Sequence, residues 1–141
     1  MAVDRNVRLA DASIQQIQLE LIRRRRFNEF DGPKVAESLL RHRELWLAAY
    51  MDRFGVPHEE HPDWFPAFSL IKLRDLPGDQ WNVDTLVVLT ESVDRARELA
   101  EIARSDDWHA NELVVQEDRE EIEMALGVAP CEFGVLSAWW D

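Results

Sequence analysis

The chain contains a single cysteine, Cys131, and no long uninterrupted run of apolar residues. One cysteine cannot form an internal disulfide, which is typical of proteins that work in a reducing compartment. The longest apolar stretches, residues 86–89 and 134–140, are far shorter than the roughly 20 residues that a membrane-spanning helix needs. Charged residues interrupt the first dozen positions, where a signal peptide requires an apolar segment. We therefore expect a cytoplasmic protein that does not insert into membranes.

Glycine is scarce as well, with five residues, and the sequence has neither a phosphate-binding loop nor a dinucleotide-binding fingerprint. No serine lies in the pattern that marks a hydrolase nucleophile, and spacing gives Cys131 no histidine partner. We identify no catalytic residue and expect no cofactor. This favours a binding module over an enzyme.

Basic residues are outnumbered, because 16 Lys and Arg stand against 28 Asp and Glu, for a net charge of −12. Residues 1–57 have a net charge of +2, from ten basic and eight acidic side chains, whereas residues 58–141 have −14, from six and twenty. An acidic total argues against a surface that binds nucleic acid or anionic membrane. The four consecutive arginines at 23–26 do not alter this, since neighbours on a helix point in different directions.

The length of 141 residues and the 46% hydrophobic content fit one globular domain, residues 1–141. Helix start and stop signals predict an antiparallel helical hairpin at residues 12–55. A capping-box pattern at Ser13 opens the first helix, which should reach about Asn28. The second helix should run from Pro33 to about Phe54, and it includes Trp46 on its apolar face.

A proline-rich loop at residues 56–66 separates this hairpin from an α/β portion at residues 67–141. The first two strands should be antiparallel, because their link is short, and the last three should be parallel, because helices join them. The predicted fold class is α/β, an N-terminal antiparallel helix pair packed with a four-stranded mixed sheet in the order ααββαβαβ. The predicted strands are residues 68–73, 85–90, 113–115 and 133–140, and the predicted helices between them are 92–104 and 119–126.

This topology predicts where a partner would bind, because ligands of open α/β sheets lie beyond the carboxyl ends of the parallel strands. Two predicted strands are followed by acidic residues, the chain ends in another, and the proline-rich loop enters the sheet at the same edge. Carboxylates there would attract a basic partner, and tryptophan would anchor it. We call this predicted set the acidic rim, and it comprises Glu59, Glu60, Asp63, Trp64, Glu91, Glu117, Asp118 and Asp141.

A divalent metal site is the alternative interpretation of the same edge. Its candidate ligands are His58, His61, Glu91, Glu117 and Asp118. Two histidines three positions apart in a loop do not fix a metal, and closed sites normally show a second ligand pair. The carboxylates also have a simpler role, because acidic residues at helix starts cap free N–H groups.

The sequence therefore predicts a small, acidic, tryptophan-rich binding module that recognises a basic protein partner. Such a module would act as an adaptor or as an inhibitor of the immunity or antitoxin type. The alternative function is a divalent-metal-dependent enzyme with its carboxylates at the strand ends. A third hypothesis is a homo-oligomer that associates through an exposed sheet edge.

Overall fold

The computed structural model describes residues 6–54, 59–64 and 70–141. Two helices and a small hairpin come first, followed by the strands and helices of a four-stranded sheet. One-turn 3-10 helices occupy Leu9–Asp11, Arg43–Leu45 and Leu76–Gly78. The remaining elements are α1 (Ile14–Arg24), β1 (Arg26–Phe27), β2 (Phe30–Asp31), α2 (Gly32–Arg41), β3 (Ala48–Asp52), α3 (Ile71–Asp75), β4 (Thr85–Thr90), α4 (Val93–Ser105), β5 (Glu112–Gln116), α5 (Arg119–Leu126) and β6 (Gly134–Trp139).

Helix α1 begins where the sequence predicts, because Ser13 and Gln16 close a capping box. The Gln16 N–H donates to Ser13 Oγ at 3.1 Å, and the Ser13 N–H donates to Gln16 Oε1 at 2.7 Å. The helix ends at Arg24 rather than near Asn28, because the chain turns there into the β1–β2 hairpin. Asn28 lies in the turn of this hairpin with a φ of 44°, a left-handed conformation that asparagine tolerates well.

The predicted second helix is too long, since α2 ends at Arg41 instead of Phe54. Trp46 is buried, as expected, but it lies beyond the helix and closes its end. Its indole N–H donates to the Leu39 carbonyl oxygen at 2.7 Å, which satisfies one of the acceptors that a helix C-terminus leaves free.

Strand β3 occupies residues that were predicted to be helical, and its burial alternates along the chain. Ala49 and Met51 are buried, whereas Ala48 and Tyr50 are exposed. This period of two is that of a strand with one face in the core. Its outer edge meets the Gln15 amide, whose Nε2 donates to the Ala49 carbonyl at 2.7 Å and whose Oε1 accepts the Ala49 N–H at 2.9 Å.

The strands lie in the order β3–β4–β6–β5, and every neighbouring pair is antiparallel. The prediction that the last three strands are parallel is therefore wrong, and so is the mixed sheet. Strands β4 and β5 do run in the same direction, but they are not neighbours. Helix α4 packs across β4, β6 and β5, so the connection from β4 spans two strand positions and β6 fills the slot between.

The strand predicted at residues 68–73 is wrong as well. Ile71–Asp75 forms helix α3, and residues 68 and 69 lie outside the described part of the chain. The fourth strand comes instead from β3, within the segment 12–55 that was predicted to be a helical hairpin. The order of elements therefore differs from ααββαβαβ, and the hydrophobic core draws residues from both predicted segments.

One face of the sheet, which we call the covered face, packs against α1 and α4, while α2 packs against α1. Two rows of directly opposed side chains form it, and all of them are apolar. Their burial supplies most of the hydrophobic stabilisation of the sheet. The rows are Ala49–Val88–Leu136–Val115 and Met51–Leu86–Ala138–Leu113.

A small polar network joins α2 to the end of α4 behind this face. The Ser38 hydroxyl donates to Asp106 at 2.6 Å, and the Trp108 indole N–H donates to the Ser38 oxygen at 2.9 Å. Arg41 reaches the same Asp106 carboxylate at 2.9 Å. The Ser38 hydrogen bond and the Arg41 guanidinium hold the pKa of Asp106 below its usual value, although burial opposes them. In the part of the chain that the structure describes, no helix has the length and apolar composition needed to cross a membrane.

Candidate functional site

The second face of the sheet, which we call the open face, presents mostly apolar side chains that keep part of their exposure. Strand register places Tyr50, Val87, Ser137 and Val114 in one row directly across the sheet. Tyr50 is 40% exposed and Val114 is 50% exposed. The row beside it consists of Ala48, Leu89, Val135 and Gln116.

Helix α5 forms a wall along this face. Asp118 caps it by accepting the Glu120 N–H at 3.0 Å and the Glu121 N–H at 3.3 Å, and Gly127 ends it with a φ of +67°. Its Ile122 side chain is buried. A groove of about 550 Å³ runs between this helix and the sheet. The groove is lined by Ala48, Tyr50, Val87, Leu89, Val114, Gln116, Glu121, Ile122, Ala125, Leu126, Val135 and Ser137.

The surroundings of this groove are acidic. Helix α5 and its cap contain four carboxylates and one basic residue, Arg119. The third row of the open face places Asp52 and Glu112 at the two edges of the sheet, on either side of Thr85 and Trp139. Burial raises the pKa of the Tyr50 hydroxyl, and Asp52 raises it further. The groove thus has negative charges along its helical wall and at the β5 edge, whereas Asp52 at the β3 edge forms an ion pair with Lys72 of α3.

Part of the predicted acidic rim does come together. Strands β4 and β5 both end beside the start of β6, because Thr90 pairs with Gly134 and Gln116 pairs with Val135. The residues that follow, Glu91 on one strand and Glu117 with Asp118 on the other, therefore share one end of the sheet.

Two of these carboxylates already have partners. Arg97 of α4 binds Glu117 with an N–O distance of 2.8 Å, and Asp118 caps α5. The capping role that the sequence suggested for Asp118 is confirmed. Glu117 and Asp118 also connect Gln116, which lines the groove, to the helix that walls it.

Asp141 does not lie with these carboxylates, and this corrects the expected geometry. Asp141 comes two residues after Trp139, which pairs with Thr85 and Glu112 at the opposite end of the sheet from Glu91. The antiparallel direction of β6 is the reason. The Asn28 side-chain amide donates to the Asp141 carbonyl at 2.6 Å, which ties the chain end to the β1–β2 hairpin.

The loop residues Glu59, Glu60, Asp63 and Trp64 do not lead into a strand at the Glu91 end, because no strand follows at residues 71–75. The chain leaves the sheet at Asp52, which pairs with Thr85 at the opposite end. Within the loop, the His61 and Trp64 rings stack with centroids 3.9 Å apart and an interplanar angle of 8°. These loop side chains are exposed, and their predicted role in binding stays a prediction.

The metal alternative depended on some of the same residues. His58 lies outside the described residues, and His61 is engaged with Trp64. Within residues 6–54, 59–64 and 70–141, no group of three or more His, Cys, Asp or Glu side chains is arranged to hold a metal ion.

The open face was missed from the sequence because β3 was assigned to a helix. Without β3, Tyr50 could not be placed beside Val87 in the sheet. The predicted strand order likewise did not place Val114 in the same row. The sequence from Ala48 to Met51 has no alternation of apolar and polar residues, so no period-two signal was present to locate this strand. No known family model, curated protein or solved structure matches this chain.

Proposed function

We propose that this protein is a small binding module whose open sheet face and helix α5 take up a basic, amphipathic helical segment of a partner protein. The observation that carries the proposal is an exposed apolar groove of about 550 Å³ beside the acidic first turn of helix α5. Exposed apolar surface of this kind costs solubility, and in monomeric proteins it commonly marks an interaction site.

The shape of the groove favours a helix as the occupant. Its floor is a sheet face rather than a free strand edge, so a partner would contribute side chains and not additional backbone hydrogen bonds. An amphipathic helix lays apolar side chains at helical spacing into such a groove. Tyr50, Val114 and Leu126 are exposed by 40%, 50% and 38%, and they would supply most of the newly buried surface.

The charge distribution favours a basic partner over an acidic one. Asp52 at the β3 edge is paired with Lys72 of α3, whereas Glu121 lines the groove and Glu112 lies at the β5 edge. Lysine and arginine residues flanking the apolar stripe of the partner would face these carboxylates. Such complementarity mainly accelerates association and rejects acidic competitors. The partner class is the one that the sequence predicted, but the surface differs from the predicted rim. The proposal places binding in the cytoplasm, with the protein acting as an adaptor or inhibitor.

Peptide titration of the full chain tests this proposal directly. Two peptides with the same helical leucine spacing are compared, one with lysine and one with glutamate at the polar positions. Isothermal titration calorimetry should show binding of the leucine–lysine peptide, weaker binding at higher ionic strength, and no binding of the leucine–glutamate peptide. Equal binding of both peptides, or of neither, contradicts the proposal.

Single substitutions test whether the peptide binds in the groove. Val114→Asp places a carboxylate among the apolar contacts and should weaken the leucine–lysine peptide about tenfold. Gln116→Lys should also weaken binding of the leucine–lysine peptide, because the new lysine repels the lysines of the peptide near α5. Leu73→Asp on α3 is the matched control, because Leu73 is 65% exposed and does not line the groove, and it should bind normally. If the unmodified chain is a dimer that Val114→Asp dissociates, the groove is a self-association surface and the proposal is wrong.

A further inference from the structure

A second cavity lies at the C-terminal end of α1, where three consecutive arginines meet. The sequence suggested that the four arginines at 23–26 would point in different directions on one helix. The helix ends at Arg24, however, and Arg25 has an extended backbone with φ −85° and ψ 131°. Arg26 then begins β1. This change of conformation turns Arg24, Arg25 and Arg26 toward one cavity of about 580 Å³, which we call the arginine pocket.

The arginines of this pocket are incompletely neutralised. Glu20 is shared, because it binds Arg23 at 2.6 Å and Arg24 at 3.1 Å. The closest carboxylate to Arg26 is that of Asp31, at 3.7 Å. The hydrogen bond from Arg23 lowers the pKa of Glu20 to about 2 against the opposing effect of burial, so this carboxylate stays charged at any physiological pH.

Arg25 is the least neutralised of the three. It is partly buried, its Nε lies 3.4 Å from the Val83 carbonyl oxygen, and its guanidinium carbon lies 4.4 Å from the centre of the Phe27 ring. Among the described residues it forms no ion pair with a carboxylate within 4 Å. Burial lowers the pKa of Arg25, and the positive charge of Arg53 adds to this effect, while Asp75 and Asp84 partly oppose it.

The other walls of the pocket are apolar and aromatic. Leu21, Leu76 and Trp81 line it, while Gln80 contributes an amide. The Lys72 ammonium lies 5.2 Å from the centre of the Trp81 ring. Asp79 is the one carboxylate among the lining residues, against three guanidinium groups. Guanidinium groups bind phosphate and carboxylate oxygens in pairs, and an indole ring stacks on flat unsaturated rings.

From this arrangement we propose that the arginine pocket binds a small organic anion in which a phosphate or a carboxylate is attached to a flat ring. The oxyanion pairs with Arg25 and Arg26, and the ring packs against Trp81. A cavity of about 580 Å³ lies within the range of small-molecule sites. The net charge of −12 on the chain repels extended polyanions, which selects a small ligand over a nucleic-acid strand. This site is separate from the open face and does not depend on the function proposed for it.

Ligand-observed NMR on the full chain distinguishes the two oxyanions. The probes are phenyl phosphate and benzoate, which carry the two oxyanions on the same ring, inorganic phosphate, and benzyl alcohol, which keeps the ring but lacks the anion. We expect one of the first two to bind at least about tenfold more tightly than inorganic phosphate or benzyl alcohol, because ring and anion contacts add. Since the ring is the same, the tighter of the two identifies the oxyanion. The proposal is overturned if neither binds, or if benzyl alcohol binds as tightly as the better anion.

Single substitutions test whether the ligand binds in the arginine pocket. Arg26→Gln changes a side chain that is 67% exposed, so the fold should persist while affinity for the better anion falls about tenfold. Arg25→Gln should reduce it further. Arg104→Gln on α4 is the matched control, since this side chain is 56% exposed and lies outside the pocket, and it should not change affinity. Unchanged affinity in Arg26→Gln and Arg25→Gln, or tighter binding of a single-stranded oligonucleotide than of either small anion, would overturn the proposal.

Discussion

The two faces of the sheet are built from similar side chains but have different surroundings. The covered face consists of two apolar rows under α1 and α4, and its Val88, Leu86 and Leu136 side chains are fully buried. The open face also presents valine and leucine, yet Val114 is half exposed, α5 lies along the groove, and Lys72 of α3 reaches Asp52 at the edge. The same residue types therefore serve the fold on one face and remain available for contacts on the other.

This difference means that stability and binding should be separable by substitution. A side chain on the covered face is removed from water on folding and contributes to the free energy of unfolding. On the open face, Tyr50 and Val114 keep 40% and 50% of their exposure after folding, so part of their apolar surface is available to a partner. Three further predictions test how sharply the faces differ.

The largest effect is expected for Leu136→Ala on the covered face. The side chain is fully buried, and its removal leaves a cavity under α4, so the free energy of unfolding should fall by about 3 kcal/mol. Its neighbour Ser137 lies on the open face, and Ser137→Ala should change stability by less than about 0.5 kcal/mol. Urea denaturation followed by tryptophan fluorescence measures both. Similar losses in the two variants would mean that the open face is also part of the core.

A matched pair of valines gives the next largest difference. Val88→Thr introduces a hydroxyl on the covered face at a site with 0% exposure, which should cost about 2 kcal/mol. The same change at Val114, with 50% exposure on the open face, leaves the hydroxyl in water and should be nearly neutral. Thermal unfolding of both variants at one pH is the measurement. A large loss in Val114→Thr would show that this position is packed.

The smallest effect concerns the polar network behind the covered face. The folded-state pKa of Asp106 lies below its usual 3.8, so its stabilising contribution is complete above that pH and is lost as the pH falls through the folded-state value. Asp106→Asn should therefore cost about 1 kcal/mol near neutral pH and progressively less in acid. Asp94→Asn is the control, because the Asp94 side chain is 86% exposed. The pH dependence of its stability should match that of the unmodified chain. An Asp106→Asn deficit that is constant from pH 7 to pH 2 would contradict the assignment.

Local signals in the sequence located many elements but not their directions. The β-branched run at Thr85–Thr90 was identified with its correct ends, and the starts of α1 and α5 followed from Ser13 and Asp118. Strand direction is not a local property. A helix between two strands normally joins parallel neighbours. Here α4 joins β4 to β5, which are separated by β6, and the sequence around α4 contains no signal for this insertion.

The failure at β3 has a different physical origin. Leucine, tryptophan and tyrosine at 45–50 can be placed on one helical face as readily as on alternating strand positions. Tertiary contacts decide between them, through the Trp46 hydrogen bond that closes α2 and the pairing of β3 with β4. The acidic rim depended on the predicted strand directions, so Asp141 could not be placed correctly, whereas Glu91 and Glu117 share an end because β4 and β5 happen to run the same way.

Gln15 has a consequence for how this sheet can be extended. Its amide occupies the backbone donor and acceptor of Ala49, in the middle of the outer edge of β3. Among the described residues no strand or side-chain amide does the same along the outer edge of β5. A strand contributed by another molecule would have to displace Gln15 at one side of the sheet and would meet no such competitor at the other. A strand from another molecule would therefore meet less competition at the β5 edge than at the β3 edge.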